Sequence, residues 1–188
     1  GDPAMVGFAR TAKISGLLPA REQADVIRAR RMDYFRSMAA GQGPRLAVIE
    51  DIDYPNCIAG WWGEVHVAVH KGLGQVGAIT NGVMRDLDVM DAGFPILAGS
   101  IGPSHGFVHV VEIGGPVSLM GMHISQDELM HADRHGAIVI PNEIIADLKQ
   151  AIETVIANEA IVLGPARAPG FDIERLEKVW AEFEAART

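Results

Sequence analysis

The sequence predicts a compact α/β domain that ends in helices, and three observations predict it. Short apolar runs of strand length alternate with helical stretches, as in Leu46-Ala-Val-Ile followed by a helix-length segment over 63–72. Glycine or proline punctuates nearly every boundary, with Gly 21 and Pro 10 in 188 residues. An apolar fraction of 48% suits a globular chain rather than a disordered or fibrous one. That length holds one domain with a proper core and is short for two.

Met5-Val-Gly-Phe-Ala-Arg-Thr-Ala-Lys-Ile reads as the first strand and ends at Ser15-Gly16. The residues before it, Gly1-Asp-Pro-Ala, lead straight into that strand, as expected of a shortened chain or of part of a longer element. Pro19 opens a helix over 20–40, with Val26, Ile27, Met32, Phe35 and Met38 as its apolar stripe, and Gly41-Gln-Gly-Pro stops it. Leu46 to Ile49 form a buried strand, and an acidic loop, Glu50-Asp-Ile-Asp-Tyr-Pro, follows. Residues 63–72 read as a helix, Gly74 onward as a strand, and 86–91 as a helical turn. From Phe94 short strands succeed one another at 95–98, 107–113, 117–120, 128–132 and 137–140. Pro141-Asn142 begins a helix to about residue 163 with Ile144, Ile145, Leu148, Ile152, Val155 and Ile156 on its apolar face. The expected division is a domain over 1–163, then a Gly/Pro linker and last amphipathic helix over 164–188, packing on the same domain or a neighbouring subunit.

Composition excludes several functions. A net charge of −8 argues against a nucleic-acid surface, and the one arginine cluster, Arg28, Arg30 and Arg31, interleaves with acids like a solvated helix face. Cys57 is the only cysteine, so no intramolecular disulfide or cysteine-based metal cluster forms. No run reaches the roughly 18–20 apolar residues that span a bilayer. No charged segment followed by an apolar one opens the chain, so a cytoplasmic location is the expectation.

The chemistry concentrates in Val76-Gly-Ala-Ile-Thr-Asn-Gly-Val-Met-Arg85-Asp86. An aspartate at a strand mouth can anchor a hard divalent cation, and an adjacent arginine can neutralise an oxyanion forming beside it. Gly82 lets a ligand approach the backbone. Glu64, in Trp61-Trp62-Gly63-Glu64, is a second carboxylate upstream of that pair. The plain alternative is a surface salt bridge at a strand end. If Gly63 opens a helix, the amides of Gly63, Glu64 and Val65 form an anion site for a substrate carboxylate. His105, with Ser104 and Gly106, can line the distal end of a pocket. His66 and His70 share a helix face at zinc-pair spacing but lack the glutamate of the zincin pattern, and His70-Lys71 reads as a polar helix end. Trp61-Trp62 reads as packing at an interface, with Trp62 able to wall a small pocket. A Schiff-base lysine needs a lowered pKa, and no motif recommends Lys13, Lys71, Lys149 or Lys178.

In order, Gly7-x-Ala9-x-Thr11, Trp62-Gly63-Glu64, Gly77-Ala-Ile-Thr-Asn-Gly-Val-Met-Arg85-Asp86, Gly93-Phe-Pro-Ile-Leu-Ala and the stretch from Asp127 to Pro141 resemble the RraA-like family. That family joins regulators of ribonuclease activity to metal-dependent 4-hydroxy-4-methyl-2-oxoglutarate aldolases, and some members carry a dimethylmenaquinone methyltransferase label. The resemblance covers roughly residues 5–141. It implies a three-layer β/β/α swivelling domain, assembled as a homotrimer or homohexamer, with its site near a subunit interface. It implies that Asp86 binds Mg²⁺ or Mn²⁺, that Arg85 contacts the substrate carbonyl and enolate, and that Glu64 matches the upstream acid. Glu64 is glutamate where the aldolase signature has aspartate, a displacement of about 1.5 Å by one carbon–carbon bond. Asn81 stands where many relatives carry aspartate.

The implied activity is a class II pyruvate aldolase or oxaloacetate decarboxylase that cleaves a C3–C4 bond of a 2-oxo acid to give pyruvate through a metal-stabilised enolate. The alternative is a non-catalytic regulator that binds a protein partner such as a ribonuclease. The aldol's C4 hydroxyl needs a base, and both Glu64 and a carboxylate from another subunit's last helix, Glu174 or Glu177, remain candidates. No strand followed by a glycine-rich nucleotide loop supports the methyltransferase label.

Overall fold

A computed structural model describes residues 4–187. The chain divides into two compact units, one running to Pro141 and the other beginning at Asn142. Among the described residues the first holds twelve strands and two helices: β1 (Met5–Ser15), α1 (Ala24–Ala39), β2 (Arg45–Asp51), β3 (Gly60–Trp62), α2 (Glu64–Gly72), β4 (Gln75–Thr80), β5 (Val83–Met84), β6 (Ile96–Leu97), β7 (Ser100–Ile101), β8 (His109–Ile113), β9 (Val117–Leu119), β10 (Met122–Ile124), β11 (Leu129–Asp133) and β12 (Gly136–Ile140).

The main sheet has seven strands in the order β12-β11-β1-β2-β4-β6, and β8 also pairs with β1. The long β1 explains this. Met5 to Phe8 pair with β11, and Ala12 to Ser15 pair with β8, with a register shift at Lys13/Ile14. Two antiparallel partners thus share one edge of β1 and the sheet curls, while β2, β4 and β6 extend its other edge in parallel. The β2 run is apolar throughout because both faces are covered. Ala47 and Ile49 join Tyr34, Met38, Trp61, Trp62 and Phe94 on one side. Leu46 and Val48 join Met5, Leu119, Ile124 and Met130 on the other. A small parallel sheet, β3-β5-β7, stands apart from the main one. The fold class is the one the resemblance implied, a mixed α/β domain followed by helices.

Some expectations need correction. The first helix starts at Ala24 behind Gln23, not at residue 20. The strands β3 and β10 were not anticipated, since three residues are too few to show a period of two. Trp61 and Trp62 do not face a neighbouring subunit: they are 3% and 0% exposed and pack among Tyr34, His66, His70 and Phe94. His70 is no polar helix end but fully buried.

The second unit is a helical hairpin. A 3-10 turn (Asn142–Ile144) leads into α3 (Ile145–Ala166), and α4 (Ile173–Ala186) is capped by Asp172, whose carboxylate accepts from Arg175 N–H at 2.9 Å. Gly164 and Pro165, expected as linker, are still helical. Among the described residues no helix is long and apolar enough to cross a membrane.

Candidate functional site

Register brings the expected residues together. β3 runs parallel to β5 with Trp62 opposite Met84, so Gly63-Glu64 and Arg85-Asp86 leave the two strand ends side by side. The Arg85 N–H donates to the Trp62 carbonyl at 2.8 Å and ties the two ends. On one strand α2 then begins, with Gly63 as its N-cap and Glu64 as its first residue. On the other the chain turns sharply: Asp86 has φ 60, and its carbonyl accepts from Val89 and Met90 at 3.1 and 3.2 Å. A non-glycine residue in that left-handed region is strained, and short polar side chains bear it best.

The turn swings the Asp86 carboxylate back toward the start of α2. Its Oδ2 accepts from the Glu64 N–H at 3.3 Å and from Nη1 of Arg85 in a short ion pair. The helix amide and the guanidinium both favour negative charge there. Both contacts fall on Oδ2, and among the described residues Oδ1 receives no hydrogen bond. Arg85 is partly buried, and its buried Nε has no acceptor.

Two glycines make this arrangement possible. A Cβ on Gly63 would lie 2.5 Å from Asp86 Oδ2 and 2.8 Å from Arg85 Cζ. One on Gly60 would lie 3.1 Å from Arg85 Cδ, and the Gly60 N–H is held by the Ser104 carbonyl at 2.7 Å. Gly60 was not singled out in the sequence, and Ser104 only as a neighbour of His105; their place beside Arg85 is what recommends them.

The other expected residues lie further out. The Glu64 side chain is exposed and makes no hydrogen bond or ion pair among the described residues. Val65 is also exposed. His105 is not drawn into the cluster: its ring faces solvent and bonds the Gly106 carbonyl at 2.8 Å. The anion site expected at the amides of Gly63, Glu64 and Val65 is narrower than supposed, because Asp86 already takes the Glu64 amide.

The histidine pair is structural. The His66 carbonyl can only accept, so the 2.6 Å contact with His70 Nδ1 makes that nitrogen the donor. His70 Nε2 is then an acceptor, and the Tyr34 hydroxyl donates to it at 2.6 Å. Burial pushes His70 down to about 4. Burial, then the charges of His70, Arg31 and Arg85, pushes His66 down to about 3. Neither is arranged as a zinc ligand. Lys13 is no Schiff-base candidate either, since the hydrogen bond it donates to Glu112 raises it against the opposing effect of burial. Lys71 is paired with Asp91 at 2.6 Å.

For a metal, the donor set decides. Among the described residues no group of three or more His, Cys, Asp or Glu side chains could hold an ion, which disfavours zinc. Magnesium keeps most of its waters and needs one or two carboxylates. Asp86, with Oδ2 fixed by two donors and Oδ1 without a partner, fits that demand. A concavity of about 350 Å³ between Leu97, Leu119, Met122 and Ala137 touches none of these residues.

The comparisons agree with this architecture. The family model described as RraA-like, Aldolase/RraA, matches residues 2–139. An uncharacterized protein from Pseudomonas syringae pv. tomato is 20% identical with a TM-score of 0.68, over 96% of this chain and 76% of its own. RraAS2 of Streptomyces coelicolor, described as an unusual member of the RNase ES inhibitor family, is 21% identical with a TM-score of 0.65, over 84% of this chain and 76% of its own. The RNA-processing inhibitor RraA from Thermus thermophilus is 15% identical with a TM-score of 0.54, over 73% and 76%. At such identities the likeness is one of fold. No curated protein matches the chain in sequence.

Proposed function

Since this chain belongs to the RraA-like (Aldolase/RraA) family, we propose that it is a divalent-metal-dependent carbon–carbon lyase that releases pyruvate from a 2-oxo acid. The family takes in both aldolases and inhibitors of RNA processing, so the choice rests on residues. One observation carries it: Arg85, Asp86 and the first amide of α2 meet at one point with only glycine behind them. A surface that only binds a partner protein needs no such convergence.

Asp86 would hold Mg²⁺ or Mn²⁺, which when bound would supply Lewis-acid polarisation of the substrate's 2-keto group. Arg85 holds fixed positive charge where the keto oxygen becomes an enolate oxygen. The start of α2, from Gly63 to Val65, seats the pyruvyl carboxylate. For an aldol, Glu64 takes the C4 hydroxyl proton, the C3–C4 bond breaks, and its electron pair passes into the enolate. Protonation at C3 then gives pyruvate. For oxaloacetate the same bond breaks with loss of CO₂ and no base is needed. We assign His105 to the substrate's distal end, and the enzyme to a cytoplasmic homotrimer or homohexamer.

The second reading, a regulator that binds a protein such as a ribonuclease, is favoured by the inhibitor descriptions of two structural relatives. Pyruvate release from oxaloacetate and from 4-hydroxy-4-methyl-2-oxoglutarate, coupled to lactate dehydrogenase, separates the two. The lyase reading expects release with Mg²⁺ and none with EDTA. Absence of metal-dependent release from both substrates favours the regulator.

A further inference from the structure

We propose that Asp86 is an internal competitor for the carboxylate seat, so that an incoming carboxylate must displace its Oδ2 before it is held. This rests on the reading that the start of α2 receives the substrate's acid group, and it adds Arg85 Nη1 as that seat's second donor. The seat consists of a helix-N-terminal amide, Glu64 N–H, and a guanidinium N–H, Arg85 Nη1. Two such donors converging on one oxygen are what a carboxylate takes, and the group that takes them here is itself a carboxylate.

Three features sharpen the competition. Asp86 is tethered next to Arg85 in sequence, so it competes at the high effective concentration of an intramolecular group. Its backbone is held in the left-handed region by the turn that follows, which aims the side chain at α2. The room on the far side is set by Gly63, where a Cβ would fall 2.5 Å from Oδ2. A substitution that removes the Asp86 carboxylate therefore opens the seat.

The test needs no metal and no turnover. Oxalate, a planar stand-in for a 2-oxo acid's acidic end, is titrated calorimetrically into the full chain in EDTA. Asp86→Gly removes the carboxylate and keeps a residue at ease with positive φ. It is expected to bind oxalate about tenfold or more tightly than wild type, the worth of one charge-assisted hydrogen bond. Asp86→Asn, which keeps the shape without the charge, falls between them, and adding Arg85→Ala to Asp86→Gly abolishes the gain. Equal affinities for wild type and both Asp86 variants overturn the proposal, as does a folded Asp86→Gly that binds no oxalate. Mn²⁺ binding to wild type, followed by electron paramagnetic resonance, is scored separately. Its absence sinks the metal reading and leaves the comparison in EDTA to judge the seat.

Discussion

Asn81 and Asp51 are locked together by a two-way bridge at the ends of β4 and β2. The Asp51 N–H donates to Asn81 Oδ1 at 2.7 Å, and Asn81 Nδ2 donates to the Asp51 carbonyl at 3.1 Å. Both residues are buried. An aspartate here would keep the first bond and set a carboxylate oxygen against the carbonyl in place of the second. The amide is thus the residue the corner requires, rather than a lost carboxylate. Asn81→Asp is expected to destabilise the fold by about 2 kcal/mol, the cost of an unmatched buried acceptor. Urea unfolding checks it, and an unchanged midpoint would show the bridge to be dispensable.

Gly63 faces the ion pair with no space to spare. Gly63→Ala places a methyl 2.5 Å from Asp86 Oδ2 and 2.8 Å from Arg85 Cζ, so one of them must move. Pyruvate release is expected to fall about 100-fold, as when a catalytic group is misplaced by roughly 1 Å. The melting temperature should move little, because both displaced side chains are partly solvated. Activity within a factor of two of wild type would mean that the pair is not the reacting centre.

Much of this organisation was legible in the sequence. The helix from Glu64, the strand before Arg85 and the C-terminal helices showed in their periodicity and their glycine and aspartate caps. What stayed hidden depended on tertiary partners. The strand β3 is too short to show a pattern, and its tryptophans are buried only because Tyr34 and Phe94 close over them. His70 reads as polar until Tyr34 and the His66 carbonyl satisfy both of its nitrogens. The use of Asp86 Oδ2 depends on a positive φ that no neighbouring residue type signals.

Acid should unfold this chain through its buried imidazoles. His66 and His70 are pushed down to about 3 and about 4 from an ordinary value of 6.5. A base with a depressed folded pKa stabilises the fold above its unfolded value and loses that contribution as pH falls. Stability is expected to decline from pH 6.5 toward 4. His66→Leu should flatten the decline, and a urea-midpoint profile equally steep in the variant would contradict this.

Schiff-base chemistry should be absent. Lys13 is tied to Glu112 at 2.8 Å and raised, the opposite of what an amine nucleophile needs. Borohydride added with pyruvate should leave the intact mass unchanged and activity undiminished. A reduced pyruvyl adduct on any lysine would replace the metal mechanism with a covalent one.

The central claim is that Arg85 and Asp86 stabilise a pyruvate enolate, and exchange at pyruvate C3 tests it without knowledge of the leaving group. In D₂O the pyruvate methyl signal, followed by proton NMR, should disappear with wild type and Mg²⁺. It should persist at the background rate with EDTA, with Arg85→Ala and with Asp86→Asn. A wild-type rate no faster than Mg²⁺ alone, or exchange that survives loss of Arg85, would contradict the account.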